Sequence, residues 1–158
     1  MVLTFSKKHL QLMQAHAASV YPQECCGLLL GTLVPEEAMR RVAEVVRVDN
    51  TWSAEMGDLT EAQLDKEKSF DRRRRYWIDP KALLQIQRDA RDRDLNIIGV
   101  YHSHPDHPPI PSETDLKFAW PFFSYLILAI EKGEPTQLSS HVLDLNTGVF
   151  SKEDLLVN

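Results

Sequence analysis

Gly99-Val100-Tyr101-His102-Ser103-His104-Pro105, with the proline-rich loop that leads on to Ser112 and Asp115, holds the densest structural information in this chain. Ile97 to His102 reads as a strand. If that strand continues through His104, its period of two puts both imidazoles on one face, where two nitrogens can grip one metal ion. Pro105, Pro108, Pro109 and Pro111 then limit the freedom of the loop, so it can return a third ligand without a large entropy cost. Ser112 opens the next helix and Asp115 follows at the spacing of a capping motif. Asp115 therefore falls on the first helical turn, facing back towards the strand end. Two histidines and one carboxylate leave a fourth position open, which is the pattern of a catalytic rather than a structural zinc. The competing reading makes His102 and His104 surface histidines and Ser112 and Asp115 only a helix cap. Either half alone would favour that reading; both together on a strand-loop-helix frame favour the metal.

The composition around this stretch is that of an ordinary globular protein. The chain has 158 residues, close to the length of one domain, with 43% hydrophobic and 26% charged side chains. It carries 18 Lys and Arg against 23 Asp and Glu, a net charge of −5, so no nucleic-acid partner is expected. The longest apolar stretch, Pro121 to Ile130, is broken by Ser124 and falls short of the roughly 18 residues a membrane span needs. Lys7 and Lys8 follow the first apolar residues instead of preceding a long apolar run, so a cytoplasmic location is expected. Cys25 and Cys26 are adjacent, too close for an unstrained bridge, and their apolar setting marks them as small core residues.

Working outward, Val2 to Phe5 reads as a short strand, Ser6 as an N-cap, and Lys7 to about Ser19 as a helix bearing Leu10, Met13, Ala17 and Val20 on one face. Cys25 to Leu33 is apolar on both faces, a central buried strand, with the valine-rich Arg40 to Val48 pairing beside it. Asp79-Pro80 caps a second helix that ends near Asp94. Further strands are expected at Tyr125 to Ile130 and Ser139 to Leu143, before a hairpin-type turn at Asn146-Thr147-Gly148 that leads into Val149-Phe150. Strands and helices mix without strict alternation and the terminal strands look antiparallel, so the fold class is α/β with a mixed β-sheet flanked by helices. Residues 53–75 stand apart, an acidic and basic segment that ends in Arg72 to Arg75. It reads either as a solvated loop with a helix around Thr60 to Lys68, or as an insertion that holds a partner protein.

The set His102-Ser103-His104-Pro105, Pro111-Ser112 and Asp115 resembles the JAMM motif of the MPN-domain metalloproteases. That family also needs a glutamate ahead of a buried, glycine-containing strand. Glu24 fills that place in Pro22-Gln23-Glu24-Cys25-Cys26-Gly27. The resemblance spans nearly the whole of residues 1–158 and is closest to bacterial stand-alone members. It implies a single MPN domain of cytidine-deaminase-like fold and one zinc ion held by His102, His104 and Asp115. It also implies that Glu24 shuttles the proton between water and leaving amine, and that Ser112 binds the oxyanion. Its substrate would be an amide or isopeptide bond at the tail of a ubiquitin-like, sulfur-carrier protein, bound extended by strand addition.

Three other readings compete with it: a metal-free MPN scaffold that only binds protein, a two-histidine-one-carboxylate iron oxygenase, and a cysteine hydrolase built on Cys26. His107 is expected to face solvent from the loop, and His9, His16 and His141 to be structural or exposed. The sequence leaves the oligomeric state open.

Overall fold

Ser6 accepts a hydrogen bond from the His9 backbone N–H at 3.1 Å while the His9 ring accepts from the Ser6 N–H at 3.3 Å. This reciprocal cap starts helix α1, Lys7–Val20, directly after strand β1, Val2–Phe5. The computed structural model describes residues 1–53 and 72–158. The helix expected around Thr60 to Lys68 and the acidic part of the charged segment lie outside the described residues.

Strand β2, Cys26–Val34, is central, flanked by β3, Met39–Val48, and β4, Asn96–Pro105, both antiparallel to it. Strand β5, Ser124–Glu131, runs parallel to β4, and β6, Glu134–Leu143, and β7, Phe150–Val157, continue antiparallel. Strand β7 then pairs with β1, itself parallel to β3, so the sheet closes in the order β1-β3-β2-β4-β5-β6-β7. The mixed sheet is as the sequence predicts; its closure is not visible in the strand pattern. Strand β6 begins before the apolar run at Ser139 because Glu134 and Pro135 pair with Glu131 and Ile130 through backbone alone. Strand β7 is hidden in the sequence by its charges. Its Glu153 is 3% exposed and accepts from Arg40 Nη1 at 2.6 Å and from the Ser140 hydroxyl at 2.8 Å.

Two apolar clusters form on opposite faces of β2 and β4. Met13 and Ala17 of α1 pack with Leu3, Phe5, Leu29 and Tyr101 on one. Helix α2, Pro80–Asp92, capped by Asp79, brings Leu83 and Ile86 to Leu28, Val100 and Tyr125 on the other. A β-bulge decides which face the histidines occupy. Leu29 pairs with Gly99 but Leu30 with Ile97, so β4 carries one extra residue there. Before the bulge Ile97 packs on the α2 side and Ile98 on the α1 side; after it Val100 faces α2 and Tyr101 faces α1. The same alternation carries His102 and His104 to the α2 side. Gly99 sits at the bulge because a Cβ there would lie 2.5 Å from the Ser124 carbonyl oxygen of the neighbouring strand. Among the described residues no helix is long and apolar enough to cross a membrane.

Candidate metal centre

Strand β4 continues through His104 to Pro105, so the two imidazoles do share a face, at the carboxyl end of the strand. Both are buried, and their Nε2 atoms lie 3.1 Å apart. Helix α3, Glu113–Lys117, starts at Ser112, whose hydroxyl accepts from the Asp115 N–H at 3.1 Å while the Asp115 carboxylate accepts from the Ser112 N–H at 2.8 Å. The cap orients Asp115 so that Oδ1 is 3.3 Å from His102 Nε2 and Oδ2 is 3.5 Å from His104 Nε2.

These separations can be compared with those of a metal site. Bonds of about 2.0–2.2 Å from zinc to nitrogen or oxygen give a tetrahedral edge of roughly 3.3–3.6 Å. The separations of 3.1, 3.3 and 3.5 Å are close to that edge. The donor chemistry points the same way. His104 Nδ1 lies 2.8 Å from the Pro108 carbonyl oxygen, to which it must donate, leaving Nε2 as the lone-pair nitrogen. His104 Nε2 and the Asp115 carboxylate then turn acceptors towards the same point, where a cation would be held. His102 Nδ1 is buried without a partner among the described residues, while its ring is stacked on Tyr76 at 4.7 Å between centroids. Burial alone would raise the Asp115 carboxyl, but the His102 charge, contacts to both histidines and the Ser112 N–H hold it well below the usual carboxylate range.

Glu24 lies just ahead of β2. Cys26 pairs with His102, Cys25 N–H donates to Ser103 Oγ at 2.8 Å, and one further step of this register sets Glu24 level with His104. The Glu24 side chain is 4% exposed. Its proton affinity is raised well above the usual carboxylate value by burial first and the Asp115 charge second, with Arg75 opposing. Glu24, Ser112 and Asp115 line one cavity of about 330 Å³, whose remaining wall includes Tyr76, Trp77, Phe118 and Trp120. The Ser112 hydroxyl spends a lone pair on the cap, so its proton stays available to donate into this space.

Several neighbours are not apparent from the sequence. His107 is exposed as expected, yet its ring stacks on His104 at 4.1 Å, and Glu24, His104 and His107 form a second group of donor atoms close enough to hold a cation. Tyr76 has no local signature beyond the apolar triplet Tyr76-Trp77-Ile78 ahead of the α2 cap. Asn50 donates to the carbonyls of Glu24 (3.1 Å) and Arg75 (2.9 Å) and accepts from the N–H groups of Trp52 (3.1 Å) and Trp77 (3.2 Å). Arg72 to Arg74 form an exposed turn beside the site: the Glu24 N–H donates to the Arg72 carbonyl at 2.6 Å, and Arg74 and Arg75 line the same cavity. His16 is buried with Nδ1 2.7 Å from the Tyr101 hydroxyl, and His141 Nε2 lies 3.0 Å from Ser139 Oγ. Both cysteines are free and buried, and burial pushes the Cys25 thiol up to about 12 and Cys26 higher still, which removes the thiolate that a cysteine hydrolase needs.

A closed mixed sheet presenting two strand histidines and a helix-cap aspartate beside a buried glutamate defines an α/β domain with, among the described residues, two overlapping groups of candidate donors that share His104. The family of prokaryotic homologs of the JAB domain matches residues 6–141, and the chain belongs to that family. It is 30% identical over 112 residues to a desampylase of Haloferax volcanii, which covers 70% of this chain and 66% of that protein, just under two thirds of its length. With the CysO-cysteine peptidase of Mycobacterium tuberculosis it shares 27% identity over 141 residues, 89% of this chain and 82% of the relative. The solution structure of a Desulfitobacterium hafniense protein matches with a TM-score of 0.74 at 28% identity, covering 100% of this chain and 93% of that one.

Proposed function

We propose that this protein is a zinc-dependent peptidase that hydrolyses the amide or isopeptide bond after the C-terminal tail of a ubiquitin-like sulfur-carrier protein. The observation that carries the reading is the convergence of His102, His104 and Asp115 beside Glu24 and Ser112 at one cleft. Membership of the JAB family and likeness to a CysO-cysteine peptidase support its substrate half. His102, His104 and Asp115 would hold the ion, which when bound lowers the pKa of a water towards neutrality.

The chain's own groups account for the rest. Glu24 takes up the proton of the attacking water at its carboxylate and delivers it to the departing amine. Its burial keeps bulk water from competing for that proton. Ser112 donates its hydroxyl proton to the oxygen of the tetrahedral intermediate, a contact worth roughly 100-fold or more in rate. Stacking of Tyr76 on His102 and the bond from His104 to Pro108 fix the two rings, so neither has to reorient during turnover. The extended tail binds by strand addition beside the centre.

Incubation with sulfur-carrier proteins extended beyond their C-terminal Gly-Gly, followed by intact mass, tests this reading. Cleavage after Gly-Gly is expected, and it should vanish in Glu24→Gln while zinc content stays at one ion per chain. Cleavage retained by zinc-loaded Glu24→Gln would remove Glu24 from the mechanism, and an inert zinc-loaded wild type would overturn the substrate class.

A further inference from the structure

The loop between β4 and α3 turns one residue inwards. Pro109 is buried, between Pro108 and Ile110, which are exposed. Neither Pro108 nor Pro109 has an N–H, so their backbone can be hydrogen-bonded only through carbonyl oxygens. The Pro108 carbonyl accepts from the Ile110 N–H at 2.8 Å, which closes a three-residue turn around Pro109, and from His104 Nδ1 at 2.8 Å. The Pro109 carbonyl accepts from the Ser139 hydroxyl. Between these two carbonyls the proline ring fixes one backbone torsion and the turn fixes the other.

Ser139 stands on β6 opposite Ile127, which stands opposite His102, so the hydroxyl comes from the same row of the sheet as a candidate ligand. It has one proton and two polar neighbours, the Pro109 carbonyl and His141 Nε2 at 3.0 Å. A carbonyl can only accept, so the Ser139 proton goes to Pro109 and Oγ accepts from the His141 Nε2–H. Burial lowers the proton affinity of His141, and the Pro109 carbonyl, which it also faces, opposes that. The His141 ring is set edge-on to Phe150 of β7, 6.1 Å between centroids. We propose, resting on the peptidase reading above, that Ser139 and His141 are positioning residues of the metal centre, acting through Pro109 on His104. Neither touches the ion. With Pro109 held, the Pro108 carbonyl stays where it takes the Nδ1 proton of His104, and Nε2 keeps its lone pair for the point it shares with Asp115. With Pro109 released, that carbonyl is free to drift, and His104 can turn or carry its proton on Nε2, where it cannot ligate. Strand β6, which supplies no donor to the centre, thus sets its affinity.

Ser139→Ala in the full-length, zinc-loaded protein tests this. Zinc affinity, measured by competition with a chelator, should fall roughly tenfold or more, the scale on which groups that orient a ligand histidine act. Turnover should lose a similar factor in kcat with KM unchanged, and the NMR signal of the His104 Nδ1 proton should exchange with water faster than in wild type. Ser139→Thr, which keeps the hydroxyl, should recover affinity, kcat and exchange rate. His141→Phe keeps a ring beside Phe150 but removes the N–H; it should move the same readouts by less, and it carries the test should the alanine protein not fold. A merely structural serine would lower Tm and leave affinity and exchange unchanged. Zinc affinity within about twofold of wild type in both variants, with an unaltered Nδ1 proton, would overturn the inference and leave the peptidase reading intact. The expected losses in a wild type that binds zinc but cleaves no carrier would uphold the inference and overturn the substrate class, and a wild type that takes up no zinc would overturn both.

Discussion

Asn50→Asp exchanges a single NH2 group for oxygen, yet the surroundings of that group make the exchange costly. The amide uses all of its directions: Nδ2 donates to the Glu24 carbonyl at 3.1 Å and the Arg75 carbonyl at 2.9 Å, and Oδ1 accepts from Trp52 N–H at 3.1 Å and Trp77 N–H at 3.2 Å. One side chain thus ties the residue before β2, the end of β3 and the wall segment 75–77 to a common point. In Asn50→Asp the two acceptor contacts survive and strengthen with charge. The two donor contacts become an oxygen set against two carbonyl oxygens. Two hydrogen bonds at about 0.5–1.5 kcal/mol each are lost. The repulsion adds a similar amount, and the gain at the tryptophan N–H groups, at a site only part-buried, offsets some of it. The net destabilisation is about 2–4 kcal/mol, which for a chain of this size lowers Tm by roughly 5–15 °C.

Urea unfolding at pH 7 measures that cost, and a pH series identifies its origin. Protonating the new carboxyl restores one donor, so the deficit relative to wild type should shrink as pH falls. A deficit from lost packing alone would not change with pH. Activity should fall at least tenfold with zinc content unchanged, because the Glu24 backbone and the wall facing it lose their shared anchor. An Asn50→Asp protein within about 0.5 kcal/mol of wild type at pH 7 would refute the reasoning, since neutral-bond energetics cannot hide two reversed contacts.

Zinc should raise the Tm of the metal-stripped wild type, with about 2.7 kcal/mol of linkage at a hundredfold excess over Kd, and should leave His102→Ala unmoved in the same thermal-shift assay. Gly27→Ala should cost about 1–3 kcal/mol or more, because its Cβ would lie 2.1 Å from Tyr101 Cε1 in a ring that is fully buried; unchanged urea unfolding would contradict that packing. The His16 pKa is lowered from 6.5, by burial first and Arg47 second, so below pH 6.5 the unfolded chain binds the proton that the folded chain refuses. Stability should therefore fall as pH drops from about 6.5 towards the lowered folded value, and the slope should flatten in His16→Gln if this histidine is its source.

How much of this was legible in the sequence depends on where the determining contacts lie. His102, His104, Ser112 and Asp115 could be read directly because their relations are local: a strand period of two, a loop stiffened by prolines and a reciprocal cap. Glu24 has no such local sign; it came from the resemblance, since the register that sets it level with His104 belongs to a pairing between distant strands. The arginine run was ambiguous for a different reason. A row of guanidinium groups has the same composition wherever it lies, and the backbone bonds to Glu24 and Asn50 that hold this exposed run beside the site leave no trace in sequence. Strand β7 was missed beyond Phe150 because its inward Glu153 is satisfied by Arg40 and Ser140, which breaks the apolar alternation that would have marked it.

Strand direction explains why these residues meet where they do. Because β4 and β5 are parallel, the chain cannot turn back in a tight hairpin and must cross over from the carboxyl end of β4. That obligatory connection carries Pro105, Ser112 and Asp115, so the third donor is delivered by a segment the topology already requires. Strand β2 is antiparallel to β4, which brings Glu24, two residues ahead of β2, to the same end. The bulge at Gly99 completes the arrangement by turning the histidines away from the α1 core and towards the cleft. Were the same residues to pair without a bulge, in the register of Ile97 and Ile98, the period of two would aim His102 and His104 at the α1 side, among Phe5, Met13 and Leu29. The site therefore depends on backbone register as much as on ligand identity.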